Sequence, residues 1–478
     1  MTRLIVGPFN RVEGDLEIRL EVEDGRVKEA FVNAPLFRDF EHLMQGRYPL
    51  DAMVIAPRIC GICSVSQSAA ALSALAASAG LAMPANGRTV LNLMQGLENA
   101  ADHLVHFALF FMPDFARGCY ESRPWHDLAL SRFRANSGGL GAEAAQARSR
   151  LFRAMGILAG KWPHSLALTP GGSTKPVDAA ERAGLMEILG EFRRFLETHL
   201  FGMPLEAVAG LADRAALAKG AGGDFKLFLA IADDLDLWNL GRSQATLMSF
   251  GAYPGPEDDA KLFAAGLWRD GQMLALDEAA IAEDVGRAWF QGSAPRHPAQ
   301  GVTEPDADKD GAYSWSKAPR LAGRTAEVGA LARQTMAGQP LILSLLAAHG
   351  STVGTRVVAR LVELARLVPA MEGWARAIDP RQPFCLPFPI LASGQGVGMV
   401  EAARGSLGHW LSVENGRLAA YQVIAPTTWN FSPRDSMGVP GPAEAALQGV
   451  AVEGNAASPV AIQHVVRSFD PCMACTVH

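Results

Sequence analysis

Two Cys-x-x-Cys pairs stand almost at opposite ends of this chain, and they constrain its fold more than any other feature. One lies in Arg58-Ile59-Cys60-Gly61-Ile62-Cys63, the other in Asp470-Pro471-Cys472-Met473-Ala474-Cys475-Thr476-Val477-His478. The spacing lets the two sulfurs of a pair converge on one metal. A compact zinc module closes its second pair nearby in sequence, whereas Cys63 and Cys472 are 409 positions apart. If the four thiolates share a site, the whole protein is folded around it.

A length of 478 residues allows about three domains. A core knitted from both ends predicts instead a single unit, residues 1–478. The chain is 49% apolar and 19% charged, ample for a buried core and unlike a disordered segment. Its net charge of −6 gives no attraction to nucleic acid or to an anionic membrane. Six cysteines are too few for a secreted disulfide framework. Cys119 and Cys385 stand alone and read as buried small apolar residues. No signal peptide is visible and no apolar run reaches membrane-spanning length, so a soluble cytoplasmic protein is expected.

Residues 3 to 34 alternate as short antiparallel strands, with Asp24-Gly25 as a hairpin turn. Ahead of them stands Arg11-Val12-Glu13-Gly14, and Glu41 opens a short helix. The alanine-rich run from Ser64 to Met83 predicts a helix with Cys63 at its N-terminus, close behind Arg58. Both features favour a thiolate at Cys63. Thr89 to Met112 reads as a long helix, on which Asp102 and His106 share a face. Helices dominate from Ala142 to Leu240, and the glycine-rich loop Thr169 to Ser173 lacks the lysine of a phosphate-binding loop. Residues 291 to 312 read as an exposed loop, with helices again over Thr325 to Ala337 and Thr355 to Leu367. Near the end, Glu414-Asn415-Gly416 joins two strands, and Ala443 to Gln448 forms a helix. The fold class expected is α+β, predominantly α-helical: a long-helix bundle core with small antiparallel β-sheets near the N- and C-terminal ends.

From spacing alone, four thiolates suit structural zinc, an iron–sulfur cluster or a nickel site. The flanking residues resemble the large subunit of nickel–iron hydrogenases. Arg58 to Cys63 is similar to that family's first cysteine motif and Asp470 to His478 to its terminal one. Further matches follow in the family's order: Arg11 to Gly14, Phe37 to Glu41, Asp102 to Phe107, Tyr313 to Lys317, Glu327 to Arg333, Arg404-Gly405 and Pro426 to Asn430.

The resemblance implies a nickel held by all four cysteines and an iron carrying two cyanides and one carbon monoxide. Cys60 and Cys472 would bind nickel alone, and Cys63 and Cys475 would bridge nickel to iron. H2 would be split heterolytically, with its proton passing to Cys472 and on to Glu13. Arg404 would lie above the open position; the plainer reading of its residue type, a salt bridge to Asp102 or Asp470, is compatible with that role. Glu41, His478 and the carbonyl of Val423 would hold a second ion, magnesium. Four cysteines cannot also hold an electron relay, so a small subunit with iron–sulfur clusters is implied, in a heterodimer or a dimer of heterodimers.

Departures from the usual motif point to a branch. Gln67 stands where most relatives carry histidine; it can donate a hydrogen bond towards a bridging sulfur but cannot titrate. Ile62 and Phe110 are bulky where many relatives have smaller side chains along the gas route. These features resemble the regulatory, H2-sensing branch, a low-turnover hydrogenase that reports to a histidine kinase. An energy-conserving uptake hydrogenase is the alternative, and a structural zinc protein with four cysteine ligands the remote one.

Overall fold

The two ends of the chain lie side by side in the computed structural model, which describes residues 2–243, 246–255, 260–452 and 459–478. Strands β1 (Thr2–Val6), β2 (Glu17–Glu23) and β3 (Arg26–Asn33) form an antiparallel sheet in that order. The β2–β3 turn is Asp24-Gly25, both at positive φ, which Asp tolerates and Gly adopts freely. Leu16, Ile18 and Leu20 bury one face of this sheet with Val27, Ala30 and Val32. The expected alternation is observed.

Short helix α1 (Phe40–Met44) leads to α2 (Ser64–Ser78) and the long α3 (Ala85–Val105), which continues as a π-helical turn over His106–Phe111. Helices then dominate to Asp234. A four-stranded sheet follows that the sequence reading did not anticipate. It contains β4 (Thr246–Ser249), β5 (Gly266–Arg269), β6 (Gln272–Leu274) and β7 (Ala326–Glu327), in the order β6-β5-β4-β7, with only β4 and β7 parallel. Helix α4 (Val353–Ala377) packs along α3. Between them the buried Glu363 binds His103 at 2.9 Å and Arg333 at 2.6 Å.

Strands β8 (Gly394–Ala402), β9 (Gly405–Glu414) and β10 (Arg417–Ile424) form the C-terminal sheet, and α5 (Val460–Phe469) and α6 (Met473–Thr476) close the chain. Strand β8 lies against α2, which explains two composition biases at once. A Cβ added at Gly396 would sit 1.9 Å from the Ala74 carbonyl oxygen, and one at Gly398 2.0 Å from that of Ala70. Glycines on the strand and alanines on the helix let the two backbones approach closely and seat the N-terminus of α2, where the first cysteine pair lies.

Two readings of the sequence are corrected here. The stretch 291–312 is not uniformly exposed: Thr303 is buried and its hydroxyl donates to Glu41. Cys119 is exposed on a short 3-10 helix (Gly118–Tyr120), and Cys385, bridged to Gly172, is only partly buried. Among the described residues, no helix is long and apolar enough to cross a membrane.

Candidate metal centre

Four sulfurs meet where the two chain ends join. Cys63 is the N-terminal cap of α2. On the opposite side Asp470 ends α5 in the left-handed region at φ 59°, a conformation Asp adopts more readily than most residues. That reversal delivers Cys472 to the start of α6. Sulfur–sulfur separations are 3.4 Å for Cys60–Cys472, 3.1 Å for Cys63–Cys475 and 3.0 Å for Cys472–Cys475. All four cysteines are buried. Cys60, Cys63 and Cys475 place their sulfurs within 4.8 Å of one another, as ligands of one ion would.

Four buried thiols this close cannot all ionise without a cation between them. Burial pushes the Cys472 and Cys475 thiols up, while the Cys472 sulfur holds Cys60 well below the usual thiol range. Soft donors, convergence and the need for a counter-charge together fit a transition metal. The expected help from Arg58 is absent. Its side chain is exposed and donates to the Val54 carbonyl, and the Cys63 thiol is pushed well up by its sulfur neighbours and by burial.

An arginine that the motif reading passed over ties the two cysteine loops together. The Arg38 guanidinium donates to the carbonyls of both Ile59 and Ala474, each one residue before a cysteine. Glu13 forms a parallel bridge with Cys472, and its carbonyl accepts the Met473 N–H at 2.7 Å. Burial raises the carboxyl of Glu13, with the charge of Cys60 adding to the effect. Arg11 anchors this loop by pairing with Asp114 and donating to the Phe110 carbonyl at 3.2 Å.

Arg404 is held on three points. It donates to Asp102 Oδ2 at 2.7 Å, to Asp470 Oδ1 at 3.1 Å and, through Nε, to the Asp470 carbonyl at 3.0 Å. Both carboxylates proposed as its partners are therefore engaged together. Burial pushes Asp102 up to about 6 against the pull of Arg404; at Asp470 burial acts the same way but the arginine prevails, holding the carboxyl low. Asp102 binds Arg404, whereas His106 Nε2 binds the Arg467 carbonyl at 2.7 Å. Gln67 is fully buried one turn into α2, its amide oxygen 2.8 Å from His409 Nε2. Ile62 and Phe110 are partly buried, Ile62 against the core.

Glu98, on α3 one turn before Asp102, is the contributor the sequence reading missed. Its carboxylate accepts the Val65 and Ser66 N–H groups at 2.8 and 2.9 Å, the Ser66 hydroxyl at 2.9 Å and Trp162 Nε1 at 3.1 Å. It thus caps the helix that starts from Cys63. A carboxylate on a fully buried helix face was the available signal, since such a group must be paired. Glu98→Ala strands four donors, three of them buried, so a stability loss of about 3 kcal/mol or more is expected, with reduced nickel content. Thermal unfolding and metal analysis of purified protein check this; unchanged values would show that the cap is dispensable.

Glu41 organises a second polar site near the C-terminus. Its carboxylate receives Lys317 Nζ at 3.0 Å, the Thr303 hydroxyl and the Val423 N–H at 2.9 Å, and lies 3.3 Å from His478 Nε2. Val423 meets Glu41 through its amide N–H. Burial raises Glu283 beside it to about 7, and its Oε1 is buried without a partner among the described residues. Two carboxylates, one of them with an orphaned oxygen, are donors that suit a hard cation, and Lys317 Nζ already stands 3.0 Å from Glu41 and 3.7 Å from Glu283.

The profile of the family described as nickel-dependent hydrogenase matches residues 38–116 and 142–478. The chain is 31% identical to the periplasmic [NiFeSe] hydrogenase large subunit of Desulfomicrobium baculatum, the match covering 100% of this chain and 95% of that protein. It is 27% identical to the uptake hydrogenase large subunit of Rhodobacter capsulatus, over 100% of this chain and 95% of the relative. Among solved structures, the Ni-Fe-Se hydrogenase from D. vulgaris Hildenborough in its as-isolated oxidized state superimposes with a TM-score of 0.87 at 28% identity, covering both chains completely.

Proposed function

The chain belongs to the nickel-dependent hydrogenase family, and on that premise we propose that it is the large subunit of an H2-sensing hydrogenase. The observation that carries the chemistry is the convergence of four buried cysteines, with Glu13 fixed beside Cys472. When bound, the nickel–iron pair, its iron carrying one carbon monoxide and two cyanides, supplies the Lewis-acid and redox chemistry that splits H2 into protons and electrons.

The protein's own residues manage the proton and the charge. Cys60, Cys63, Cys472 and Cys475 would together hold the nickel–iron pair. Cys472 accepts the proton, and Glu13, whose main chain is bonded to the same segment, carries it outward. Arg404 presents a fixed positive charge, because its three bonds restrict its position. Glu41, His478 and the Val423 carbonyl, with Glu283 and Lys317 beside them, would hold magnesium.

Electrons leave through an iron–sulfur partner subunit. The two remaining cysteines, Cys119 and Cys385, cannot supply the four ligands such a cluster takes. Gln67, Ile62 and Phe110 support the sensor reading, in which the heterodimer signals to a histidine kinase. Similarity to uptake hydrogenase large subunits supports the second reading, an energy-conserving enzyme.

Infrared spectra of the metal-loaded heterodimer, in air and then under H2, separate these readings. Bands from bound carbon monoxide and cyanide that are unaltered by air but shift promptly under H2 are expected for a sensor. Bands that change in air and recover only after long reduction would establish the uptake enzyme instead. Glu13→Gln is expected to slow H/D exchange by about 10²-fold or more at unchanged nickel content. Loss of nickel in that variant would make Glu13 structural.

A further inference from the structure

We propose that Asp114 is a positioning residue: through Arg11 and Arg467 it clamps the segment carrying Glu13 against the segment carrying Cys472. The inference rests on the proton-relay reading above and gives a role to Asp114 and Arg467, which that reading leaves out.

Asp114 stands in the 3-10 turn Met112–Ala116, directly after the π-helical end of α3, and is fully buried. It receives one guanidinium from each end of the chain. Arg11 Nη2 donates to its Oδ1 and Arg467 Nη1 to its Oδ2. Arg467 Nη2 also reaches the N-terminal loop directly, donating to Asn10 Oδ1 at 2.7 Å and to the Asn10 carbonyl at 3.0 Å. Arg467 lies in the last turn of α5, the helix that leads into the second cysteine pair. Arg11 comes two residues before Glu13. Burial works against the charge of Asp114, but Arg467, with His464 and Arg11, holds its carboxyl below the ordinary range.

The backbone of Arg11 shows what the clamp maintains. Its φ is 55°, in the left-handed region that an L side chain of this kind enters at a cost. The bonds of its side chain to Asp114 and to the Phe110 carbonyl oppose relaxation of that turn. The turn lays the following residues along the second cysteine pair. The Glu13 N–H donates to the Pro471 carbonyl at 3.4 Å, and the Glu13 carbonyl accepts the Met473 N–H. A Cβ added at Gly14 would lie 2.9 Å from the Ala474 nitrogen, so the two segments are already in close contact. Rotation at Arg11 would therefore break both backbone bonds and draw Glu13 away from Cys472. Proton transfer is sensitive to such displacement, since a misplacement of about 1 Å can cost about 10²-fold in rate.

The test compares the metal-loaded heterodimer with variants Asp114→Asn, Glu13→Gln and Glu13→Gln/Asp114→Asn. Asp114→Asn keeps the size of the side chain and removes its charge. It is expected to slow H/D exchange by about tenfold or more and to speed backbone amide exchange at Glu13 and Met473. Nickel content and the infrared bands of bound carbon monoxide and cyanide should stay as in the wild type. The double variant should be no slower than Glu13→Gln alone, because Asp114 acts through Glu13. Wild-type H/D or amide exchange rates in Asp114→Asn would overturn the proposal, as would additive slowing in the double variant. Should Asp114→Asn fail to load nickel, Arg11→Gly decides by the same criteria. It removes the anchor and leaves at the positive φ the residue that adopts it most freely. Lost nickel or shifted bands in both Asp114→Asn and Arg11→Gly would make the clamp merely structural and overturn the proposal. Wild-type H/D exchange in Glu13→Gln would overturn the relay reading and this inference with it. Slow Glu13→Gln beside a wild-type rate in Asp114→Asn would overturn this inference alone.

Discussion

Cys472→Ser is expected to abolish H2 activation, lowering H/D exchange by about 10³-fold or more, the scale on which loss of a directly reacting group registers. Two features single out this sulfur. Its sulfur stands 3.4 Å from Cys60 and 3.0 Å from Cys475, and its residue pairs through the backbone with Glu13. Serine preserves the size of the side chain, but its oxygen is a harder and far less acidic ligand than a thiolate. The variant must be compared at equal nickel loading. A nickel-replete Cys472→Ser protein that still exchanged H/D at the wild-type rate would remove Cys472 from the proton-accepting role.

The second large effect is expected at Arg404. Arg404→Leu leaves Asp102 and Asp470 buried without their principal counter-charge, a change that costs on the order of 3–5 kcal/mol. The direction with pH follows from the two carboxyls. Asp102 is held above its unfolded value, so its contribution to stability declines as pH rises from the unfolded pKa through about 6. Removing the arginine extends that decline upward. Asp470 is held below its ordinary value, and the stability it contributes above that value depends on the arginine. Both terms make the deficit of the variant larger at pH 8 than at pH 5, measurable as a widening gap in Tm between variant and wild type. Arg404→Lys retains the charge but not the three-point fork, so a smaller loss of stability with a clear fall in H/D exchange is expected. Equal Tm values for Arg404→Leu and wild type at both pH values would refute the account.

Much of the architecture was legible because its signals are local. The alternation of residues 16–22, the Asp24-Gly25 and Asn415-Gly416 turns and the alanine-rich helix after Cys63 each reflect the conformational preferences of a few neighbouring residues. The four-stranded sheet was missed for the opposite reason. Its strands are two to four residues long, and its parallel pair joins Thr246 and Leu247 to Ala326 and Glu327, far along the chain. Strands this short carry no period, and their stability comes from partners that only the folded chain supplies. Strand β8 was not anticipated for a related reason: Gly394, Gly396 and Gly398 interrupt its apolar alternation, and Gly396 and Gly398 serve a close contact with α2.

The sequence by itself determined the chemistry available at the site. Four thiols in two pairs, a carboxylate at Glu13 and an arginine at Arg404 are residue types at fixed positions, and donor softness and charge belong to the side chain. Tertiary structure alone decided which groups those side chains meet. It set Arg404 between Asp102 and Asp470 together, closed Arg38 across both cysteine loops, brought Glu98 under the helix from Cys63 and joined Tyr421 and His409 to Gln67. It also turned Arg58 away from the sulfur it was expected to serve. A hydrogen bond acts over about 3 Å, whereas these partners are separated by 12 to 436 residues, so only the packing of helices and sheets brings them within reach.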